Sequence, residues 1–280
     1  MKKNIIIITI IIFLISSFLY VWARYVETKG LNVKEYKIST NISDNFNGLK
    51  IVHFSDLHYS STVNKSDLKK IVDKINFINP DIIVFTGDLI DISDSEKIKE
   101  VTSELKRLNA KIGKYAVNGD KDINEFDIIM KNCGFTVLNN SYELIYKNSY
   151  DSIIISGITS NLKDNDNVSN KLKTTYEYLE QNNAVYKILL THEPDIIDNT
   201  NIFDLVLAGH SHNSQINLPI IRDFTKIDGA KKYYLPYYKV NNTNLYISGG
   251  LGTSNYKLRF LNLLNILNKY DIIFYRIVKE

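Results

Sequence analysis

The chain has 280 residues, 44% apolar and 23% charged, enough to bury an ordinary core and too apolar for a disordered polymer. Its single cysteine, Cys133, excludes an internal disulfide and any thiolate-based zinc or iron–sulfur site, and is expected as a small buried residue. The net charge of +3 sits in residues 1–24, which hold Lys2, Lys3 and Arg24 and no acid; the other 31 basic and 31 acidic side chains balance, so the basic footprint of a nucleic-acid binder is missing.

Residues 1–4 form a short basic N-terminus. Residues 5–23 read IIIITIIIFLISSFLYVWA, uncharged throughout, and nineteen helical residues nearly cover a hydrocarbon core of about 30 Å. Tyr20 and Trp22 stand at the far end, where aromatic rings favour the interface. An uncleaved transmembrane anchor fits this pattern best. A signal peptide is the alternative, although SSFLYVWAR offers no good small-x-small cleavage site, and a core helix would lack a polar face. Lys2 and Lys3 place the N-terminus in the cytoplasm and the main domain outside the membrane, as a single-pass protein. Residues 24–48 are a juxtamembrane stretch with a leading strand, and 49–280 form the globular domain.

Within that domain, short apolar runs alternate with helical patterns. Residues 51–54 are a strand. Leu68, Ile71, Val72, Ile75 and Ile78 make one helix face, with Ser66 as cap and Asn79-Pro80 as stop. Residues 82–85 are apolar on both faces, the mark of a strand covered on both sides. Ile98, Val101, Leu105 and Leu108 give a second helix, 115–117 a third strand, and 124–132 a helix ending at Gly134. Strands are expected at 152–156, 186–190, 205–208, 245–248 and 272–278, with one helix over 168–181 and a polar loop at 161–167. The Tyr- and Lys-rich stretch 218–244 reads as hairpins and loops, its Tyr233, Tyr234, Tyr237 and Tyr238 equally suited to a membrane-facing belt. The alternation argues an α/β domain.

Several strands run into residues of metal-ligand type. Ser55-Asp56-Leu57-His58 follows the first and Gly87-Asp88-Leu89-Ile90-Asp91 the second. Asn118-Gly119-Asp120-Lys121-Asp122 follows the third. Thr191-His192-Glu193-Pro194 and Gly209-His210-Ser211-His212 follow two later strands. Ligands of open α/β sheets gather outside the carboxyl ends of strands, and four of the five histidines stand there. In Asp-x-His and His-x-His an extended backbone projects both side chains to one face. Each fragment alone is weak; five in this order point to a metal centre. Carboxylates with imidazoles and no thiolates suit Zn, Mn or Fe.

On these motifs (SDLH, TGDLID, NGDKD, THEP and GHSHNSQINLP) the chain resembles the calcineurin-like metallophosphoesterase family from about Leu49 to Asn255, in particular the membrane-associated branch with UDP-diacylglucosamine hydrolase-like members. The resemblance implies a four-layer α/β/β/α sandwich, two β-sheets flanked by helices, here behind one N-terminal transmembrane helix. It implies two divalent metal ions. Asp56, His58 and His212 would hold the first, His192, His210 and Asp120 the second, and Asp88 would bridge them. It implies hydrolysis of a phosphomonoester, phosphodiester or pyrophosphate bond by metal-activated water, on a phosphate-ester substrate that the branch suggests is lipid-linked.

The chain departs from the family where the motif Gly-Asn-His-Asp/Glu becomes Gly119-Asp120-Lys121-Asp122. Asp120 adds an anion among the ligands, and Lys121 stands where a histidine assists the leaving group. One anion and one cation are gained together. Beside two cations the lysine pKa would fall, so Lys121 could donate a proton or bind phosphate as a point charge, with Asp122 orienting it. A different register would put Asn118 in the metal shell. A metal-binding module with little hydrolysis is the competing reading of the same substitutions. Downstream, Gly249-Gly250-Leu251-Gly252-Thr253-Ser254 and Arg259-Phe260 keep the branch pattern, whereas Leu264-Asn265 replaces its Pro-Glu pair. His53 is expected as a buried core histidine, Asp91 as a helix cap in preference to a residue supporting a ligand, Glu193 as a solvated or supporting residue, and Arg259 as a surface ion-pair or phosphate contact.

Overall fold

The structure is a computed structural model. It describes residues 31–61, 63–164, 166–212, 227–252 and 270–280, with Ile7, 9–11 and 13–18 near the N-terminus. Twelve strands are present among these residues: β1 (Leu31–Thr40), β2 (Leu49–Phe54), β3 (Ile82–Thr86), β4 (Gly113–Val117), β5 (Thr136–Val137), β6 (Ser141–Tyr146), β7 (Ser152–Gly157), β8 (Tyr186–Leu190), β9 (Leu205–Ala208), β10 (Tyr237–Val240), β11 (Thr243–Ile247) and β12 (Tyr270–Lys279). The helices are α1 (Lys65–Ile78), α2 (Ser95–Leu105), α3 (Phe126–Asn132), α4 (Val168–Lys171) and α5 (Lys173–Gln181).

The strands form two mixed sheets, ordered β1-β12-β2-β3-β4-β5 and β10-β11-β9-β8-β7-β6. In each, four consecutive neighbours run parallel: β2 through β5 in the first, and β11, β9, β8 and β7 in the second. Alternate residues serve different layers, as the two-residue period of a strand requires. Val52, Phe54, Ile83 and Phe85 pack on Leu68, Ile71 and Val72 of α1 and on Val101 and Phe126 of the next two helices. Ile51, Ile82 and Val84 face Ile153, Ile155, Ile188 and Leu190 of the opposite sheet. On the second sheet's outer face Leu189, Val206 and Leu245 meet Val168, Leu172 and Ile197. Three cores between four layers give the α/β/β/α sandwich.

Local signals account for most element ends. Helix α1 begins at Asn64, whose side chain accepts from the Asp67 N–H, so the cap is Asn64 and not Ser66; the carboxamide oxygen reaches the orphan donor from outside the first turn. It ends at Asn79, which takes the left-handed conformation before Pro80. The single helix expected over 168–181 is two, α4 and α5, meeting at Leu172. Tyr233 is buried and its hydroxyl donates to Asp198, while the Tyr238 hydroxyl accepts from the Tyr234 and Leu235 N–H groups, so these two rings pack beside the β10–β11 hairpin, whereas Tyr237 is exposed. Cys133 is buried, as expected.

Of the expected 5–23 span, 7, 9–11 and 13–18 are helical, and Ile7, Ile10, Ile11, Phe13, Leu14, Ile15 and Phe18 are exposed. No helix among the described residues is long and apolar enough to cross a membrane. Tyr20, Trp22, Arg259, Leu264 and Asn265 lie outside the described residues.

Candidate metal centre

The carboxyl ends of β2, β3, β4, β8 and β9 converge on one spot, and backbone bonds tie their loops together. Asp56 N–H donates to Gly87 O (2.9 Å), His58 N–H to Asp88 O (3.0 Å) and Gly209 N–H to His192 O (3.0 Å). The His210 N–H donates to both Asp56 carboxylate oxygens at 3.1 Å, joining the two sheets directly. The loop after β11 closes the floor. Gly252 N–H donates to Asp56 O, and a Cβ on Gly250 would stand 2.7 Å from His212 Nδ1.

Nine non-glycine residues among those described have positive φ, and five of them are Asp56, His58, Asp88, His210 and His212. Each costs about 1–2 kcal/mol relative to right-handed backbone, so the strain is concentrated in the residues whose side chains must turn inward, as at other functional sites.

Their side chains fall into overlapping sets. Asp56, His58 and His212 present ligand atoms within 4.8 Å of one another, as do Asp120, His192 and His210, and as do Asp56, Asp88 and His192. Asp88 stands between the first two groups, its Oδ2 3.5 Å from His58 Nε2 and 3.4 Å from His192 Nε2. Asp120 Oδ1 lies 3.3 Å from both His192 Nε2 and His210 Nδ1. All seven residues named from the sequence therefore meet, and the register with Asp120 in the cluster is the one adopted. Asn118 faces away and accepts the Ser160 N–H at 3.1 Å.

Three of the histidines are turned by their other nitrogen. His58 Nδ1 meets Asp91 Oδ1 at 2.8 Å, His192 Nδ1 meets Thr86 O at 2.6 Å, and His210 Nε2 meets Asp228 O at 2.7 Å. Such partners fix the tautomer and leave one nitrogen for a cation. Asp91 thus orients His58 and caps nothing; the cap of α2 is Asp94, whose carboxylate accepts from the Glu96 and Lys97 N–H groups. The two roles open to Asp91 were hard to tell apart in the sequence because Asp91 and Asp94 lie in one strand-to-helix connection.

Within the cluster the carboxylates and imidazoles shift one another. Burial would lower the His58 and His192 pKa values, but the carboxylates prevail: His58 is raised to about 9 by Asp91, Asp88 and Asp56, and His192 well above its ordinary range by Asp88 and Asp120. Asp88 and Asp120 are held below the usual carboxylate range, the histidines outweighing the opposing effect of burial. His58 Nε2 and Asp120 Oδ1 are buried without a hydrogen-bond partner. A buried cluster of three carboxylates and four imidazoles, with ligand atoms aimed inward and two of them unbonded, fits a pair of divalent cations, and the hard-oxygen and imidazole donor set fits Zn, Mn or Fe.

Lys121 donates its backbone N–H to Asp88 Oδ1 at 2.9 Å, while its largely exposed side chain carries the ammonium onto Asp120 Oδ2. Partial desolvation lowers its pKa, but Asp120, with Asp88 and Asp91 beyond it, raises it overall. The Asp122 carboxylate is taken up by the backbone N–H groups of Gly119 (2.7 Å), Asp88 (2.9 Å) and Leu89 (2.7 Å), joining the β3 and β4 loops instead of meeting the lysine ammonium. Burial and Asp88 push Asp122 up to about 7 against those donors. His53 is fully buried between Tyr275 and Thr86, its pKa lowered to about 3 by desolvation. Glu193 is buried, not solvated, and accepts from Ser160 Oγ and the Asn161 N–H.

A family model for the calcineurin-like phosphoesterases matches residues 49–214, well over half of the chain. The chain belongs to the calcineurin-like phosphoesterase family. It is a metal-dependent phosphoesterase by that membership. It is 34% identical over 251 residues to the uncharacterized metallophosphoesterase YkuE of Bacillus subtilis, covering 86% of both chains. It is 26% identical to UDP-2,3-diacylglucosamine pyrophosphatase LpxG of Chlamydia trachomatis, over 71% of this chain and 74% of that protein. It is 25% identical to a transmembrane protein with metallophosphoesterase domain of Danio rerio, over 93% of this chain but only 62% of the relative.

Proposed function

We propose that this calcineurin-like phosphoesterase is a membrane-anchored, dinuclear-metal enzyme that hydrolyses a phosphomonoester, phosphodiester or pyrophosphate bond of a lipid-linked substrate. The observation that carries the reading is the convergence of seven carboxylate and imidazole side chains into two groups with Asp88 between them. Asp56, His58 and His212 would hold one cation, Asp120, His192 and His210 the other, with Asp88 shared. Two divalent cations so held would polarise the phosphoryl group and lower the pKa of water to supply a nucleophile.

The chain's own residues supply the rest. Asp91, Thr86 O and Asp228 O fix the imidazole orientations. Asp122 fixes Asp88 through the backbone on which it sits. Lys121, at the edge of the cluster with a largely exposed side chain, is placed to meet a substrate phosphate or to give a proton to the leaving oxygen. Anchoring is supported by the uncharged 5–23 stretch and by the apolar side chains exposed on its described helical residues. The lipid-linked substrate is supported by the named substrate of the Chlamydia relative.

Hydrolysis of bis-p-nitrophenyl phosphate by the full chain in detergent, with Mn²⁺ added, tests the reading. Turnover in the wild type that disappears in Asp88→Asn is expected. Metal uptake without turnover in the wild type, with activity gained by Lys121→His, would instead favour a metal-binding module, the reading that the Asp120 and Lys121 substitutions also allow.

A further inference from the structure

Residues 158–164, between β7 and α4, form a strap whose hydrogen bonds reach the loops that carry Asp120 and His192. Ser160 N–H donates to Asn118 Oδ1 at 3.1 Å, two residues before Asp120. Ser160 Oγ and the Asn161 N–H donate to the buried carboxylate of Glu193, the neighbour of His192. Lys163 Nζ donates to Asp122 O at 2.6 Å. The strap thus links the loop carrying Asp120 to the loop carrying His192. None of these hydrogen bonds reaches Asp56, His58 or His212.

What shapes the strap is Lys171. Its side chain has 0% exposure, rare for lysine, and its ammonium reaches Asp164 Oδ1 (2.5 Å), Thr159 O (2.9 Å) and Ser160 O (3.4 Å). Thr159 also bonds Asp164 Oδ2 at 2.6 Å and Asn140 Oδ1. A buried ammonium with three oxygen partners draws both ends of the 159–164 turn onto one point. Removing it would leave two carbonyl groups without that donor and Asp164 without its charge partner.

We infer that Lys171 is a positioning residue for the second metal group. Through the strap it sets the separation of the Asp120 and His192 loops, and so controls the affinity of that group for a cation while leaving the Asp56–His58–His212 group untouched. This rests on the proposed dinuclear reading of the centre. A simple charge effect has the opposite sign, because deleting a nearby cation would favour metal binding at both groups.

The test measures Mn²⁺ binding by calorimetry on the full chain in detergent. The His212→Ala background retains the Asp120 group, and the His210→Ala background retains the Asp56 group. Lys171→Met is added to each. Ser160→Ala, which removes the hydroxyl's bond to Glu193 while keeping the Asn161 N–H bond and the buried lysine, is run beside it in case Lys171→Met fails to fold. A tenfold or greater rise in Kd in the His212→Ala background, with less than twofold change in the His210→Ala background, is the expected result. Equal weakening at both groups, tighter binding, or no change at either overturns the inference. If the wild type and both backgrounds take up no Mn²⁺, the dinuclear reading itself falls and the inference with it.

Discussion

Gly250 offers a perturbation whose parts separate. It has φ +80° and lies beneath the metal centre; Gly48 has φ +81° and lies at the opposite end of β2. A Cβ on Gly48 meets nothing within 4 Å, whereas one on Gly250 would stand 2.7 Å from His212 Nδ1 and 3.1 Å from Asp56 Cβ. Gly48→Ala therefore isolates the cost of a left-handed alanine, about 1–2 kcal/mol, or about 2–4 °C in Tm for each kcal/mol in a domain of this size. Gly250→Ala adds the same backbone cost and must also push His212 by about 0.7 Å to restore an ordinary contact, beyond the roughly 0.5 Å a preorganised site tolerates. Measured by differential scanning calorimetry and Mn²⁺ titration, Gly48→Ala should lower Tm and leave metal uptake unchanged. Gly250→Ala should lower Tm at least as far and weaken the Asp56–His58–His212 group at least tenfold, with turnover falling in parallel. Equal metal affinity in the two variants would refute the claim that Gly250 is required by close approach to the ligands.

The site carries three more predictions. Lys121→Ala should leave Tm nearly unchanged, because the side chain is largely exposed, and slow kcat about 10²-fold or more on alkyl phosphodiesters but much less on p-nitrophenyl esters, whose leaving group needs no proton; equal losses on both would make it a phosphate contact only. Asp91→Asn should weaken Mn²⁺ binding about 10–100-fold by releasing His58, with no comparable effect from Asp94→Asn, whose carboxylate caps α2. In the presence of a chelator, thermal stability should fall as pH rises from about 6.5 to 9. Asp122 at about 7 and His58 at about 9 both lie above their unfolded values, so each folded group holds its proton where the unfolded one has lost it. His53 and His212, lowered to about 3 and about 4 by burial, act in the other direction, but only below their ordinary value near 6.5. Urea melts across this range that rise steadily with pH would contradict the assignment.

The candidate ligand cluster was legible because its chemistry is written at strand ends. Apolar runs such as 186–190 and 205–208 coincide with β8 and β9, because a strand covered on both faces reads as a continuous apolar run. The residues just beyond such a run emerge at the sheet's carboxyl edge, so Asp56, Asp88, Asp120, His192 and His210 could be placed from the sequence. Edge strands were harder. β5 has two residues, β10 alternates exposed and half-buried positions, and β6 buries Ile145 alone, so all three read as easily as loop. Where the leading strand pairs was also hidden, since β1 lies parallel to β12, with Leu31 opposite Tyr270 at the far end of the chain.

The residues that support the ligands were the least legible, and for one physical reason. A buried polar side chain is defined by its partners, and partners distant in sequence leave no periodic signal. Lys171 falls on a helix between Val168 and Leu172, where a lysine would ordinarily snorkel to solvent; only the turn at 159–164 gives its ammonium three oxygens and makes burial tolerable. Glu193 follows His192 and could as well have been solvated, until Ser160 and Asn161 meet it from another strand's end. The left-handed backbone of Asp56, His58, Asp88, His210 and His212 is equally silent, because nothing but glycine or asparagine advertises positive φ in a sequence. These strained positions are stable only because neighbouring loops over-determine them: the Asp122 carboxylate at Asp88, and the floor of Gly250 and Gly252 at Asp56 and His212. The chemistry is therefore local to five short motifs, while the precision of the centre depends on contacts assembled from both sheets.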